Sequence, residues 1–145
     1  MTPPPAENPT APLTGGCQCG RIRYEILGRP GTIYVCHCLE CRRQSASAFG
    51  ISVTVRSADL RLVQGAPKRW SRPADSGNRV DCFFCPDCGS RVWHGDPARE
   101  AEVSVKGGSL DRPVDLSQAV HIWTCRKLPG VVIPDGAPRH EREPQ

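Results

Sequence analysis

The sequence predicts an all-β protein: short antiparallel strands gathered around structural zinc, with at most short helices. Three observations lead there. Its 15 prolines and 14 glycines in 145 residues mark many turns and leave little room for long helices. Several short stretches alternate apolar and polar side chains, the period of a half-buried strand. Nine cysteines fall mostly into three clusters in a chain only 38% hydrophobic, so metal cross-links supplement a modest core.

Taken in order, residues 1–13 carry prolines at 3, 4, 5, 9 and 12 and read as a flexible tail. The zinc-binding domain is expected over 14–138, with a second flexible tail over 139–145. Order should begin at Gly15-Gly16-Cys17-Gln18-Cys19-Gly20, where glycines permit the positive φ that a turn around a metal needs. Ile22, Tyr24 and Ile26 alternate with charged residues in a first strand. The run Thr32-Ile33-Tyr34-Val35 is a second, delivering Cys36 at its end. Leu39–Ser45 favours a short helix whose N-terminal N–H groups face thiolates and lower their pKa. Further strands are expected at 51–55, 60–63, 68–71, 80–84, 91–94, 102–106 and 119–123, with a loop over 72–78.

Composition narrows the function classes. Nineteen basic against 15 acidic residues give a formal charge of +4 with the signs interspersed. With an aromatic content of 6% and no basic patch, this argues against nucleic acid. No stretch approaches the ~20 apolar residues of a membrane span. The N-terminus MTPPPAENPTAPL lacks the basic start and apolar run of a signal peptide. A cytoplasmic location follows, and with an odd cysteine count it favours metal over disulfides.

The chemistry centres on Cys36-His37-Cys38-Leu39-Glu40-Cys41. Three thiols without a neighbouring fourth describe a zinc site with one coordination position open to water or substrate. The pairs Cys17/Cys19 and Cys85/Cys88 supply four sulfurs for a second, closed, structural site, so two zincs per chain are expected. Cys82 reads as a small hydrophobe in a strand, with the missing fourth ligand as the alternative. Cys125 reads as a partly buried thiol.

At this point the motifs GGCQCGRIRYEI, CHCLECRRQSASAFG, FFCPDCGSRVW, GGSLDRP and HIWTCRKLPGVVIPDG, in this order from Gly15 to Pro138, resemble the glutathione-dependent formaldehyde-activating enzyme family, which includes centromere protein V-like domains. The resemblance implies a zinc-centred β-tent. Carried over, it assigns structural zinc to Cys17, Cys19, Cys85 and Cys88, and the second zinc to Cys36, Cys38 and Cys41. Cys82 and Cys125 fall outside the ligand pattern. The implied activity is that of a carbon–sulfur lyase, condensing glutathione with formaldehyde to S-hydroxymethylglutathione or running the reverse.

On that reading the small-molecule thiol is glutathione and the catalytic set is Cys36, Cys38, Cys41 and His37. Three thiolates already give the metal excess negative charge, which suits a soft thiol better than water. His37 is either a proton shuttle or a ring turned away to bond the backbone. Arg42 and Arg43 either grip substrate carboxylates or form a solvated helix face. Ser109 and Asp111 read as ligand contacts or turn residues, Asp87 as a turn residue, and His121 and Trp123 as core. A non-catalytic zinc module for protein or nucleic acid partners is the rival from another class.

Overall fold

The computed structural model describes residues 11–74 and 76–144. In chain order the elements are β1 (Leu13–Gly16), β2 (Arg23–Ile26), β3 (Ile33–Cys36), α1 (Leu39–Ser45), β4 (Gly50–Arg56), β5 (Leu60–Gln64), β6 (Lys68–Pro73), β7 (Arg79–Phe84), β8 (Arg91–His94), β9 (Glu102–Lys106) and β10 (Val120–Ile122). The strands form two open sheets, β1-β2-β5 and β10-β3-β4-β9-β8-β7-β6, so the fold is all-β with one short helix and no closed barrel. All strand pairs are antiparallel except β10 with β3, which run parallel with His121 opposite Val35. That pair departs from the all-antiparallel expectation, because a long excursion separates the two strands and brings β10 back in the same direction.

Alternation in β2 and β4 does what the pattern predicts. Ile22, Tyr24 and Ile26, and Val53 and Val55 across from them, are buried together with Val92, Trp93, Val103 and Val105. Trp93 is the hub: Tyr24 meets it edge-on at 5.9 Å and Phe83 stacks on it at 5.8 Å. Cys17 and Cys85 belong to the same buried cluster, so the small sheet and the large one are joined at a pair of sulfurs. Because Ile26 is enclosed in this core, Ile26→Ala is expected to cost about 2–5 kcal/mol, read as a lower denaturation midpoint at unchanged slope in urea.

The helix sits at the hairpin end of β3 and β4, where Cys36 is paired with Gly50. A Cβ at residue 50 would lie 2.9 Å from Gln44 Nε2 and 3.0 Å from Cys41 Cβ, so only glycine lets the helix pack this closely. Ala46 closes the helix in the left-handed conformation (φ 50°), its N–H donating to the carbonyls of Arg42 and Arg43.

Both expected tails adjoin or include described residues. The N-terminal tail expectation falls on residues 1–10, which lie outside the described residues, and on 11–13, of which Leu13 already begins β1. At the other end, residues 139–143 return along β10. His121 accepts from His140 N at 2.8 Å, Trp123 N donates to Arg142 O at 3.1 Å, and Trp123 Nε1 donates to Glu143 Oε1 at 2.8 Å. This backbone pairing extends the hydrogen-bonded structure past Pro138, where a tail was expected. No helix among the described residues is long and apolar enough to cross a membrane.

Candidate metal centres and adjoining cavities

Two cysteine clusters form, and all nine thiols are free of disulfides. In the first, Cys17, Cys19, Cys85 and Cys88 place their sulfurs within 4.8 Å of one another. Cys17 Sγ lies 3.6 Å from Cys19 Sγ, and Cys19 Sγ lies 3.7 Å from Cys85 Sγ. Tetrahedral ligands at roughly 2.3 Å from a zinc leave sulfurs about 3.8 Å apart, so the donor set fits Zn²⁺.

Two backbone knuckles hold these sulfurs. Gly20 N donates to Cys17 O at 3.1 Å and Gly89 N to Cys85 O at 2.8 Å, with both glycines at positive φ (80° and 82°). Backbone N–H groups point at sulfur as well, Ile22 N donating to Cys17 Sγ at 3.2 Å. The Ser90 hydroxyl, 3.3 Å from Cys88 Sγ, leads the contacts that draw that thiol down to about 5, with the amides of Ser90 and Cys19 next. Asp87 in the knuckle turn pairs with Arg21 at 3.2 Å on the surface.

The second cluster is Cys36, Cys38 and Cys41, again with sulfurs within 4.8 Å. Cys36 comes from the last residue of β3, while Cys38 is the N-cap of α1, its sulfur accepting from Cys41 N at 3.3 Å. This is the arrangement expected of helix N–H groups facing a thiolate. Hydrogen bonds from Cys36 and Cys41 lead in drawing the Cys38 thiol down, to about 2, while contacts with Cys38 first and then Cys41 push Cys36 up. Three crowded sulfurs cannot all ionise alone, and a divalent cation among them removes that conflict. The donors are soft and number three, so the residues present fit zinc with one position left open.

Lys106 was not foreseen. It ends β9 opposite Ser52 of β4, is only 7% exposed, and donates from Nζ to Ser52 Oγ at 3.3 Å. Burial pushes its pKa down, and the charges of Cys41 and Cys36 push it back up. The thiols of Cys41 and Cys36 thus favour the charged form of this buried side chain, against the desolvation that opposes it.

Two cavities lie near the sulfur clusters. The larger, about 730 Å³, runs from Cys17 and Cys88 past Phe49 and Ile51 to Lys106. Asp111 stands at its rim, bound by both guanidinium nitrogens of Arg23 and by Thr14 Oγ1 at 2.6 Å. Ser109 lines the same cavity, its hydroxyl 2.5 Å from that of Tyr24. The smaller, about 300 Å³, is bordered by Cys41 itself, with Arg43, Trp70, Arg72, Arg91 and His94 among its walls. Gln44 and Arg91 line both.

The remaining candidates separate. Arg43 reaches the smaller cavity and Arg42 lines neither, because consecutive helical residues point about 100° apart. His37 is fully buried, its Nε2 2.9 Å from His121 Nδ1 and its ring stacked on that imidazole at 5.2 Å. It lines neither cavity, and its ring packs on that of His121; burial first, then His121, lowers its pKa. Cys82 is enclosed in β7 and lies outside both sulfur clusters, as a small strand hydrophobe should. Cys125 is exposed rather than partly buried, since the chain leaves β10 in a single 3₁₀ turn at the surface. Trp123, expected in the core, is half-buried past the strand end at φ 56°.

With two sulfur clusters of this make-up in place, the comparison with known proteins is decisive. Residues 12–126 match the family described as glutathione-dependent formaldehyde-activating enzyme. The chain belongs to that family. A curated protein of Halomonas elongata, named provisionally as a glutathione-dependent formaldehyde-activating enzyme, is 29% identical over 90 residues, covering 59% of this chain. The match spans 57% of the length of that relative. The crystal structure of a Rhodobacter sphaeroides protein is 28% identical, with a TM-score of 0.55, over 74% of this chain and 98% of that one. In this family member, the sulfur clusters fall on motifs that the matched span contains, and the sheets that carry them are those of the matched fold.

Proposed function

We propose that this protein is a zinc enzyme of the carbon–sulfur lyase class that joins a thiol, glutathione in the first instance, to a small aldehyde such as formaldehyde, or runs the reverse. The observation that supports it is the unequal pair of clusters: four sulfurs closing one site, and three at the other, of which Cys41 borders a cation-lined cavity. Cys17, Cys19, Cys85 and Cys88 would hold a structural zinc, and Cys36, Cys38 and Cys41 a second. Zn²⁺ at the second site would lower the pKa of a thiol at its open position and polarise a carbonyl oxygen there.

The rest of the chemistry falls to the chain's own residues. Cys41 N holds the Cys38 sulfur in its ionised form by donating to it. Lys106 offsets the negative charge of the cluster from its buried position. Arg43 orients the carboxylates of a peptide-like thiol. His37, stacked on His121, fixes the strand end between two ligands and acts as a positioning residue. In the sum, a sulfur–carbon bond forms, the carbonyl π bond opens, and the thiol proton ends on the former carbonyl oxygen. Nine free thiols and a glutathione substrate both suit a reducing cytoplasm.

Zinc per chain tests this, measured by elemental analysis on protein purified without chelator, with and without excess glutathione. Two zincs, or a second retained only with glutathione, are expected. One zinc unaffected by glutathione would sink the enzyme reading and leave a closed zinc module.

A further inference from the structure

Among the described residues, Lys106 is the only lysine or arginine that is buried. A side chain this far from water destabilises the fold unless its N–H groups meet acceptors. A lysine head carries two or three such groups, and Ser52 Oγ, at 3.3 Å, is its one hydrogen-bond acceptor among the described residues. No carboxylate pairs with it there. At least one N–H is left over, which is what a bound ligand oxygen would satisfy.

Register shows where this head stands. Lys106 lies directly opposite Ser52, so the two side chains leave the sheet on one face. Gly50 is on that face too, two residues before Ser52 in β4, and a Cβ there would lie 3.0 Å from Cys41 Cβ. Lys106 therefore emerges on the side of the sheet where α1 carries Cys41. After burial, the largest influences on it are the charges of Cys41 and Cys36, yet no sulfur accepts a hydrogen bond from Nζ. The head is near the three-sulfur centre without touching it. A Cβ at Gly107 would run into Ile51, so glycine lets the end of β9 settle against β4 and fixes this position.

We propose that Lys106 is a catalytic residue for the aldehyde half of the reaction, its Nζ donating a hydrogen bond to the carbonyl oxygen while sulfur adds to the carbonyl carbon. The inference rests on the reading that the Cys36, Cys38 and Cys41 centre accepts a thiol and passes it to an aldehyde. Once a thiol fills the one open position there, the aldehyde oxygen needs a donor from the chain. As the sulfur–carbon bond forms, the carbonyl π pair moves onto oxygen and Nζ–H meets the growing negative charge. The proton given up by the thiol ends on that oxygen, and nothing is oxidised or reduced. Nζ carries N–H groups whether charged or neutral, so the contact holds in either form. Because the donor is buried and already anchored on Ser52, it needs little rearrangement as the charge develops.

The test compares Lys106→Met, which keeps the stem and removes the donors, with Lys106→Arg, which restores donors, both on zinc-loaded protein. At saturating glutathione, Lys106→Met is expected to lower kcat/KM for formaldehyde about a hundredfold, the scale of losing one donor to a developing oxyanion. Its zinc content and its calorimetric affinity for glutathione without aldehyde should stay native, and Lys106→Arg should recover part of the rate. Saturation-transfer NMR with formamide, an unreactive small carbonyl, reads the contact without turnover on glutathione-loaded protein. A signal is expected in the native protein and in Lys106→Arg, and none in Lys106→Met. A Lys106→Met protein with native kcat/KM, or a formamide signal absent from the native protein, overturns the assignment and leaves the enzyme reading standing. Loss of zinc or of glutathione affinity together with the rate overturns it too, since Lys106 then serves the sulfur centre instead. Lys106→Gln takes the place of Lys106→Met, under the same readings, if the latter loses its cooperative melt. Native protein that adds no glutathione to formaldehyde overturns the enzyme reading and this inference together.

Discussion

Cys85→Ser is expected to leave the protein without a cooperative unfolding transition above room temperature. Cys85 is fully buried at the junction of the two sheets, in van der Waals company with the Tyr24 and Trp93 core, and its sulfur lies 3.7 Å from that of Cys19. Substitution removes one of four ligands and buries a hydroxyl in its stead. Structural zinc sites contribute on the order of 10–16 kcal/mol to folding in small peptides, whereas whole domains are stable by about 5–15 kcal/mol. Losing a large part of the first number exhausts the second. Circular dichroism on heating, with zinc measured on the same sample, checks this. Cys125→Ser, exposed and outside both clusters, is the control and should melt as the native protein does. A Cys85→Ser protein with a native melt and native zinc content would show that the four-sulfur cluster does not hold the fold.

Cys38→Ser should do the opposite: abolish thiol addition while preserving the fold. The cluster it belongs to lies at one end of β3 and α1, and Cys38 is half-exposed there. Its structural task is to cap α1 by accepting from Cys41 N at 3.3 Å. Serine is among the best N-cap residues, so its hydroxyl takes over that bond and the helix keeps its start. What serine does not replace is a thiolate ligand. Removing hydrogen-bond partners of metal ligands already costs 10–100-fold in affinity or activity, so losing a ligand should cost at least about a hundredfold. The expected protein carries one zinc instead of two, melts within a few degrees of native, and forms S-hydroxymethylglutathione no faster than buffer does. Retention of full activity would remove the three-sulfur cluster from the reaction.

The two substitutions differ because the clusters sit differently in the chain. Cys17/Cys19 and Cys85/Cys88 bring together segments some seventy residues apart, so a metal held there would supplement the core of a chain this size. Cys36, Cys38 and Cys41 span a single strand-to-helix turn that β3, β4 and α1 already build. On the proposed reading, substitution should separate function from folding at the three-sulfur cluster and not at the four-sulfur one.

Much of this was legible in the residues. Alternation placed β2 and β4, β7–β9 fall where further short strands were expected, and Leu39–Ser45 appears as the helix with the same ends. Cysteine spacing grouped seven sulfurs as the structure groups them, because a C-x-C or C-x₂-C turn leaves little choice about which sulfurs are near. Leu13–Gly16 was missed as a strand because Leu-Thr-Gly-Gly shows no alternation; β2 recruits it through backbone pairing, with Leu13 packed against the core. The return of 139–143 along β10 was missed for the same reason. His37 was ambiguous until the partner across the parallel pair, His121, gave its ring somewhere to go.

The sequence by itself determined which cysteines form local C-x-C and C-x₂-C pairs and where most of the strands lie, since both depend on residues close together in the chain. Only the tertiary structure decided what surrounds the three-sulfur centre. Arg72, Arg91 and Lys106 read as ordinary solvated cations in alternating strands, and nothing in their local pattern distinguishes them from Arg61 or Arg69. They become a charged wall only because β6, β8 and β9 lie in one sheet beside α1, where strands side by side bring distant residues within side-chain reach. Burial then keeps water from screening those charges, so the sheet order sets both what lies near the metal centre and how strongly it acts.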